Sequence, residues 1–362
     1  MAKASNTQRS GDKARRRLVE WFRAEQRDLP WRRTRDPYAI WISEAMLQQT
    51  RVETVVSYWE RFLARFPDIA ALAAASEDDV LAAWSGLGYY RRARALRAAA
   101  QRIVEAHGGA FPRDIDAVRA LPGVGPYTAG AVLSIAFDAP VALVDGNVVR
   151  VLARWLGCEL EHAAASRWAW GEAERLVPSA GGAGEWNQAL MELGASVCTP
   201  RAPACDRCPL REHCFAREHG RQAELPRAKP RATPIDVELE CAWLERRGEV
   251  LLEQRPATGR MAGLWQLPTV QLAAGAEGVE LFPARYVSEQ IAPYGAPLLS
   301  QRHSITRHRI VANVRAARGQ GLRASPPLAW VARERLAGLA LTGMAKKALR
   351  SLVGSTSSDV RG

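Results

Sequence analysis

Apolar residues recur at helical spacing along the first part of the chain. Leu18, Val19 and Phe22 share one face and predict a helix from about Asp12 to Gln26. Leu29-Pro30-Trp31-Arg32-Arg33 breaks it, and Asp36-Pro37-Tyr38 opens the next element. From Ala39 to about Phe66, Ile40, Met46, Leu47, Val52, Val55, Trp59 and Phe62 read as one helix. Further helices are predicted over 77–84, 91–107, 115–120, 164–177 and 185–197. After residue 235 the period changes. Val237, Leu239, Cys241 and Trp243 alternate, Arg247-Gly248 makes a turn and Val250-Leu251-Leu252 follows, the pattern of a β-hairpin. Gly263 to Pro268 and Ile310 to Val314 predict more strand, and a helix closes the chain near 343–352. The pattern predicts a multidomain protein. A disordered basic tail (1–14) precedes an all-α domain (15–218). A Pro-, Arg- and Ala-rich linker without periodicity (219–234) leads to an α+β domain (235–353), and 354–362 is a disordered tail.

One stretch carries candidate chemistry. Gly123 and Gly125 flank Val124 in a turn after Leu121-Pro122, and Pro126 opens a helix where its missing N–H costs nothing. Glycines let a backbone approach a ligand closely, and a helix N-terminus adds a positive dipole end. The expected ligand is an anion, most often a phosphate. Further on, Asp145 stands before Gly146, Asn147 and another helix. Alone, the turn is as often structural as functional, and Asp145 is an ordinary N-cap. Together they favour function. Glu44 lies one turn after Ile40, close to an apolar face, where a carboxyl would be partly desolvated and its pKa raised. Spacing alone favours an ordinary helix-surface charge there.

Composition narrows the partner. The chain has 362 residues, 48% hydrophobic, and a formal net charge of +12. That surplus suits a polyanion, nucleic acid before membrane. No apolar run approaches the ~20 residues that span a bilayer, and the polar, basic start is unlike a secretory signal. A reducing, cytoplasmic location follows, in which cysteines serve as metal ligands more often than as disulfides. Ser85-Gly86-Leu87-Gly88-Tyr89-Tyr90-Arg91-Arg92 combines glycines, aromatics and arginines, as suits a surface that approaches nucleic acid. The alternative is a loop whose tyrosines pack on the core. Cys198, Cys205, Cys208 and Cys214 form C-x6-C-x2-C-x5-C, a strong sign of a metal centre. Zinc sites usually show two close pairs; one close pair with two singles fits an iron–sulfur cluster at least as well. Cys158 and Cys241 read as buried free thiols.

SEAMLQQT, LPGVGPYTAGAV, VDGNVVRVLAR and the four-cysteine segment together resemble the MutY-type adenine DNA glycosylases of the helix-hairpin-helix superfamily, which also holds endonuclease III. The resemblance is close over about 15–220 and loose over 235–350. It implies a helix-hairpin-helix over 117–137, a 4Fe–4S cluster on the four cysteines within 198–214, and a MutT-like (Nudix-like) second domain. It implies that the enzyme removes adenine mispaired with 8-oxoguanine or guanine in double-stranded DNA, as a monomer. Its catalytic residues would be Glu44, which protonates adenine and activates water, and Asp145, which stabilises the cationic sugar. Asn147 and Tyr127 would hold the geometry. Arg32, Leu47, Gln188 and Trp31 would line the adenine pocket, and Gln48 would contact substrate. Gln49 and Tyr89 would insert beside 8-oxoguanine. Leu121, Gly123, Val124 and Gly125 would bind DNA phosphate, with a monovalent cation held by their carbonyls.

The second domain carries GLW and LP segments like those of the family, but not the clustered carboxylates of a pyrophosphohydrolase, so it is expected to bind rather than hydrolyse. The lesion-reading loop would be Ile305, Thr306, Arg307 and His308. Arg307 stands where the family carries histidine, and His308 is displaced by one.

The chemistry of the residues agrees with the resemblance. Glycosylases take the base out of the stack, and breaking an N-glycosidic bond asks for one neutral acid and one anion facing an oxocarbenium-like sugar. The helix start would keep Asp145 ionised. An endonuclease III-like pyrimidine glycosylase and a non-catalytic DNA-binding module are the competing readings. In the strand-cleaving relatives a lysine attacks the sugar at the position of Tyr127, and a phenol cannot form a Schiff base. Borohydride is therefore expected to trap no robust covalent complex with DNA; efficient trapping would contradict a monofunctional enzyme.

Overall fold

The computed structural model describes residues 2–227, 233–256, 259, 261–273, 290–305, 307–319, 322 and 324–354. The α-helices among the described residues run in order: α1 (Ala2–Glu25), α2 (Pro37–Leu47), α3 (Val52–Arg65), α4 (Ile69–Ala74), α5 (Glu77–Ala83), α6 (Arg91–His107), α7 (Ile115–Arg119), α8 (Pro126–Phe137), α9 (Gly146–Leu156), α10 (His162–Leu176), α11 (Ala183–Ser196), α12 (Phe215–Glu218) and α13 (Gly343–Gly354). The described strands lie between the last two: β1 (Ile235–Trp243), β2 (Glu245–Arg246), β3 (Glu249–Gln254), β4 (Trp265–Gln266), β5 (Thr269–Ala273), β6 (Ala292–Ile305), β7 (His308–Arg318) and β8 (Leu328–Ala332). The chain forms two compact units, one of residues 1–75 and 95–230, the other of 76–94 and 231–362.

In the first unit, Trp41, Phe62, Leu72, Ile103 and Trp186 are fully buried. Helix α2 is mostly apolar, and all residues from Tyr38 to Met46 are buried, Ser43 and Glu44 among them. Such a helix can exist only inside a fold. It packs against α8, which is buried from Thr128 to Ile135, and α11 packs against α1, α8 and α9. Three glycines let these backbones meet. A Cβ on Gly130 would sit 2.1 Å from the Ala142 carbonyl oxygen, one on Gly184 would lie 2.5 Å from that of Ser134, and one on Gly194 would meet Asn147 Cβ at 2.5 Å.

The second unit has two sheets, one ordered β5-β1-β7-β6, the other with β3 joined to β2, β4 and β8. Strands β1 and β7 are parallel, with Val237 opposite Ile310, and β6 and β7 form a long hairpin that ends on Ile305 opposite His308. Val237, Leu239, Ile310, Ala312 and Val314 form its core with Met344, Ala348 and Leu349 of α13. Residues 76–94 are built into this unit: Tyr90 Oη donates to the Leu341 carbonyl at 3.0 Å and Lys346 Nζ to that of Ser85 at 3.2 Å.

Several expectations change. Helix α1 starts at Ala2, not near Asp12, so a disordered tail over 1–14 is corrected; Ala, Lys, Arg and Gln are good helix formers, and Gly11 costs only about 1 kcal/mol. The single helix expected from Ala39 to Phe66 is two, because Gln49 takes a left-handed backbone with φ 61°. The turn at Arg247-Gly248 is present, but it joins β2 to β3, while β1 pairs with β5 and β7 in the other sheet. The linker is shorter than 219–234. Leu225 is 1% exposed and its carbonyl accepts from Arg154 Nε at 2.9 Å, so a single anchoring leucine ties the segment to the helical unit. The tail beyond Gly354 lies outside the described residues. Among the described residues no helix is long and apolar enough to cross a membrane.

The glycine contacts predict a cost. Gly130→Ala should destabilise the protein by about 1–3 kcal/mol in denaturant unfolding, because a backbone carbonyl must move to admit the methyl group. A neutral result would mean that the helices do not approach this closely.

Candidate active site

Asp36 caps α2, accepting from the Tyr38 and Ala39 amides at 3.0 and 3.3 Å, and Pro37 occupies the first helical position. This start aims Glu44 inward. Glu44 is only 5% exposed, and Tyr127 Oη donates to its Oε2 at 2.7 Å. Burial pushes the Glu44 carboxyl up to about 7; the Tyr127 hydrogen bond opposes this, the charge of Asp145 adds to it, and that of Arg32 opposes it. Burial and the nearby carboxylates hold the Tyr127 phenol well above its ordinary value, so it stays a donor.

Asp145 is the N-cap of α9. One of its oxygens accepts from the Val148 amide at 2.7 Å and the other from Asn147 Nδ2 at 2.9 Å. The expectation that the helix start keeps Asp145 ionised meets an opposing effect. Burial outweighs the amide and Asn147 hydrogen bonds and raises it from the usual carboxylate value. Asn147 is fixed in turn, its Oδ1 accepting from Arg150 Nη2 at 2.7 Å. Arg150 also donates to the carbonyls of Gly194 at 2.8 Å and Cys198 at 2.8 Å.

Glu44, Tyr127, Asp145 and Asn147 line one cavity of about 530 Å³, together with Trp31, Arg32, Leu47, Gln48, Gln49 and Gln188. So ten residues singled out in the sequence converge from the chain's first turn region, α2, α8, α9 and α11. Gln48 Nε2 reaches Thr128 Oγ1 at 3.4 Å, Gln188 Nε2 donates to the Gly184 carbonyl at 3.2 Å, and Trp31 packs edge-on against Trp59 at 6.1 Å. Arg27, Met191 and Glu192 also line the cavity and were not singled out. A signal existed for Glu192, which lies four residues after Gln188 and so shares its helix face.

At the hairpin, Leu121 and Val124 are buried while Gly123 and Gly125 face solvent. Gly123 requires its residue type, with φ 75°, and a Cβ there would meet Ala95 Cβ at 2.5 Å. Gly125 is extended, with open space around it.

Two site candidates lie in the second unit. Tyr89 has φ 46° and is 42% exposed. Its loop is held by Arg92, which donates to the Leu87 and Gly88 carbonyls at 3.1 and 3.2 Å and lies over the rings of Trp84 and Tyr89. At the β6–β7 tip Arg307 is exposed, and Thr306 lies outside the described residues. His308 is corrected as a substrate contact. It is 3% exposed, opens β7, and its Nδ1 lies 3.2 Å from the Ile305 carbonyl, so the tip presents Arg307 instead.

Cys198, Cys205, Cys208 and Cys214 line one small pocket with Arg154. Arg154 Nη1 donates to Cys198 Sγ at 3.4 Å and to the Thr199 carbonyl at 2.7 Å. Burial pushes the Cys208 thiol up to about 12 and raises Cys214. Among the described residues no group of three or more His, Cys, Asp or Glu side chains is placed to hold one metal ion. The all-sulfur donor set around a shared pocket suits a larger, multi-iron group.

Buried Glu44 and half-buried Asp145 face one cavity within a helical frame. Residues 42–169 match the model of the HhH-GPD superfamily of base excision DNA repair proteins; residues 198–214 match the iron-sulfur binding domain of endonuclease III, and 241–351 a NUDIX domain. The adenine DNA glycosylase of Rattus norvegicus is 39% identical over 71% of this chain and 60% of its own length. That of Schizosaccharomyces pombe is 32% identical over 74% of this chain and 71% of its own. The chain belongs to the adenine DNA glycosylase family. It spans 60% of the rat relative and 56% of the human one. A solved thermostable thymine-DNA glycosylase is similar at 32% identity and a TM-score of 0.54, over 59% of this chain and 99% of its own.

Glu44 should cost stability. With a folded-state pKa of about 7, above that of an unfolded glutamate, stability is full below about pH 4.5 and falls as pH rises through 7. Glu44→Gln removes that loss, and should raise stability at pH 8 by about 3 kcal/mol. The gain shrinks as pH falls towards 4.5. Urea unfolding at both ends of the range measures it, and an equal effect throughout would show that Glu44 is not desolvated.

Proposed function

We propose that this protein is a monofunctional adenine DNA glycosylase of base excision repair, acting on adenine opposite 8-oxoguanine or guanine in duplex DNA. The observation that carries the reading is a buried carboxyl, Glu44, hydrogen-bonded by Tyr127 and facing the same cavity as a second carboxyl, Asp145. The adenine is flipped from the stack into the cavity. Glu44 gives its proton to a ring nitrogen of the base, and the C1′–N9 bond breaks with its electron pair going to adenine. Asp145 faces the cationic sugar. Water then adds to C1′ and returns a proton to Glu44. A positioned general acid of this kind contributes about 10²–10⁴-fold to rate. Tyr127 offers no amine, so water alone captures the sugar cation, leaving free adenine and an abasic site in an unbroken strand.

The remaining assignments support the same reading. The hairpin from Leu121 to Gly125 receives a DNA phosphate. Gln49 and Tyr89 both hold left-handed backbones, strain that clusters where side chains are forced outward for function. They serve as wedges beside the estranged base. The β6–β7 tip reads the lesion with Arg307, a donor for guanine-type acceptors where a histidine would offer one ring N–H. The cluster on the four cysteines, when bound, supplies iron–thiolate bonds that tie the segment after α11 into one module.

Duplexes bearing 8-oxoguanine:adenine, guanine:adenine or an oxidised pyrimidine, followed by alkaline cleavage of abasic sites, test the proposal. Adenine release from the first two is expected, and Glu44→Gln should abolish it while leaving DNA affinity in place. Release of oxidised pyrimidine alone would favour the endonuclease III-like reading, and no release from any duplex a binding module.

A further inference from the structure

Glu192, on α11, is an acidic residue of the cavity that the proposed reaction leaves without a role. Its side chain is 1% exposed. Its Oε1 accepts from Arg27 Nε at 2.7 Å, and its Oε2 accepts from Arg27 Nη2 at 2.8 Å and Arg32 Nη2 at 2.6 Å. Arg32 is also held by the Arg27 carbonyl, to which its Nη1 donates at 2.9 Å. Arg27, Arg32 and Glu192 line the same cavity as Glu44. Two guanidiniums thus share one buried carboxylate; removing it would leave Arg32, only 11% exposed, uncompensated in a low-dielectric site, while Arg27, 42% exposed, is partly screened by solvent.

The inference rests on the glycosylase reading. We propose that Glu192 is a positioning residue for the acid step: its carboxylate holds and neutralises Arg32, and so keeps that cation from drawing the proton off Glu44. The charged and titratable groups around Glu44 are few. Tyr127 comes from α8, Asp145 from the start of α9, and Arg32 from the turn before α2. Of these Arg32 is the cation, and its charge pulls the Glu44 carboxyl down. Glu192, itself held below the usual carboxylate value by Arg27 and Arg32 against the opposing effect of burial, stays ionised as their counter-charge. Arg150 faces Asp145, not Arg32.

The test is the pH dependence of adenine release under single-turnover conditions, for the full chain on an 8-oxoguanine:adenine duplex, beside a carbon-13 NMR titration of the Glu44 carboxyl in the free protein. Glu192→Gln should lower the midpoint of the acid limb and of the NMR titration by about one pH unit. The rate then falls roughly tenfold above neutrality and little at low pH. Glu192→Asp should return both midpoints towards the wild-type value. A uniform rate loss with unmoved midpoints would overturn the proposal and leave Glu192 a scaffold residue. If Glu192→Gln does not fold, Arg32→Gln decides instead. Removing the cation should raise the NMR midpoint, and an unchanged midpoint refutes the electrostatic route. Wild-type protein that releases no adenine sinks the glycosylase reading, while the NMR titrations still judge the coupling of Glu192 to Glu44.

Discussion

The desolvation of one helix governs the rest of the helical unit. Residues Tyr38 to Met46 of helix α2 are all buried, so most contacts around them are made by protein, and the cavity is reached at Glu44 and Leu47. Glu44 rides on that helix, and the cost of drying its carboxyl is offset in part by one short hydrogen bond from Tyr127. A carboxyl in water would be ionised at neutral pH and useless as an acid. The close glycine contacts of Gly130, Gly184 and Gly194 are therefore more than tight packing. They bring α8 close to the segment before α9, and α11 close to α8 and α9, the helices from which Tyr127 and Asn147 enter the cavity that Glu44 lines.

Two carboxyls with different surroundings share the cavity. Glu44 has one hydrogen-bond donor and apolar neighbours; Asp145 has a helix-start amide and an amide side chain, and its pKa rises despite them. The same functional group is thus set in two different surroundings, with more donors around Asp145 than around Glu44. The order of fixing is also clear. Arg150 holds Asn147, Asn147 holds Asp145, and Arg150 is anchored on the carbonyl of Cys198.

Legibility followed the range of the interaction. The hairpin, the N-cap at Asp145 and the four cysteines are local patterns, and each could be read from spacing. Glu44 could not. Its spacing suggested a surface charge, and only the family resemblance gave it a role, because its burial comes from α8 and α11, far away in the chain. The Arg27–Arg32–Glu192 cluster was missed for the same reason, since its ion pairs close over 165 and 160 residues. The break at Gln49 was hidden by a continuous apolar rhythm on both sides. In the second unit, alternation showed where strands lie but not their partners, and β1 left its neighbour in sequence for a parallel match with β7. Leu225 shows the opposite failure, where one apolar residue in a Pro- and Arg-rich stretch outweighed the composition around it.

Helix α1 packs against α11, and Arg23 Nε donates to Glu185 at 2.9 Å. The two ends of the helical unit thus close it like a clasp. During synthesis, α1, α2 and α8 leave the ribosome well before α11 exists, and closing so distant a contact is slow. Until residue 196 or so has emerged, the faces of α1, α8 and α9 that pack on α11 have nothing to cover them, and such exposed apolar surface favours aggregation. A nascent chain arrested before that point would have the hairpin and both carboxyls, but neither the α11 side of the cavity nor the cysteine segment. The cavity is thereby completed only when nearly the whole helical unit has been made.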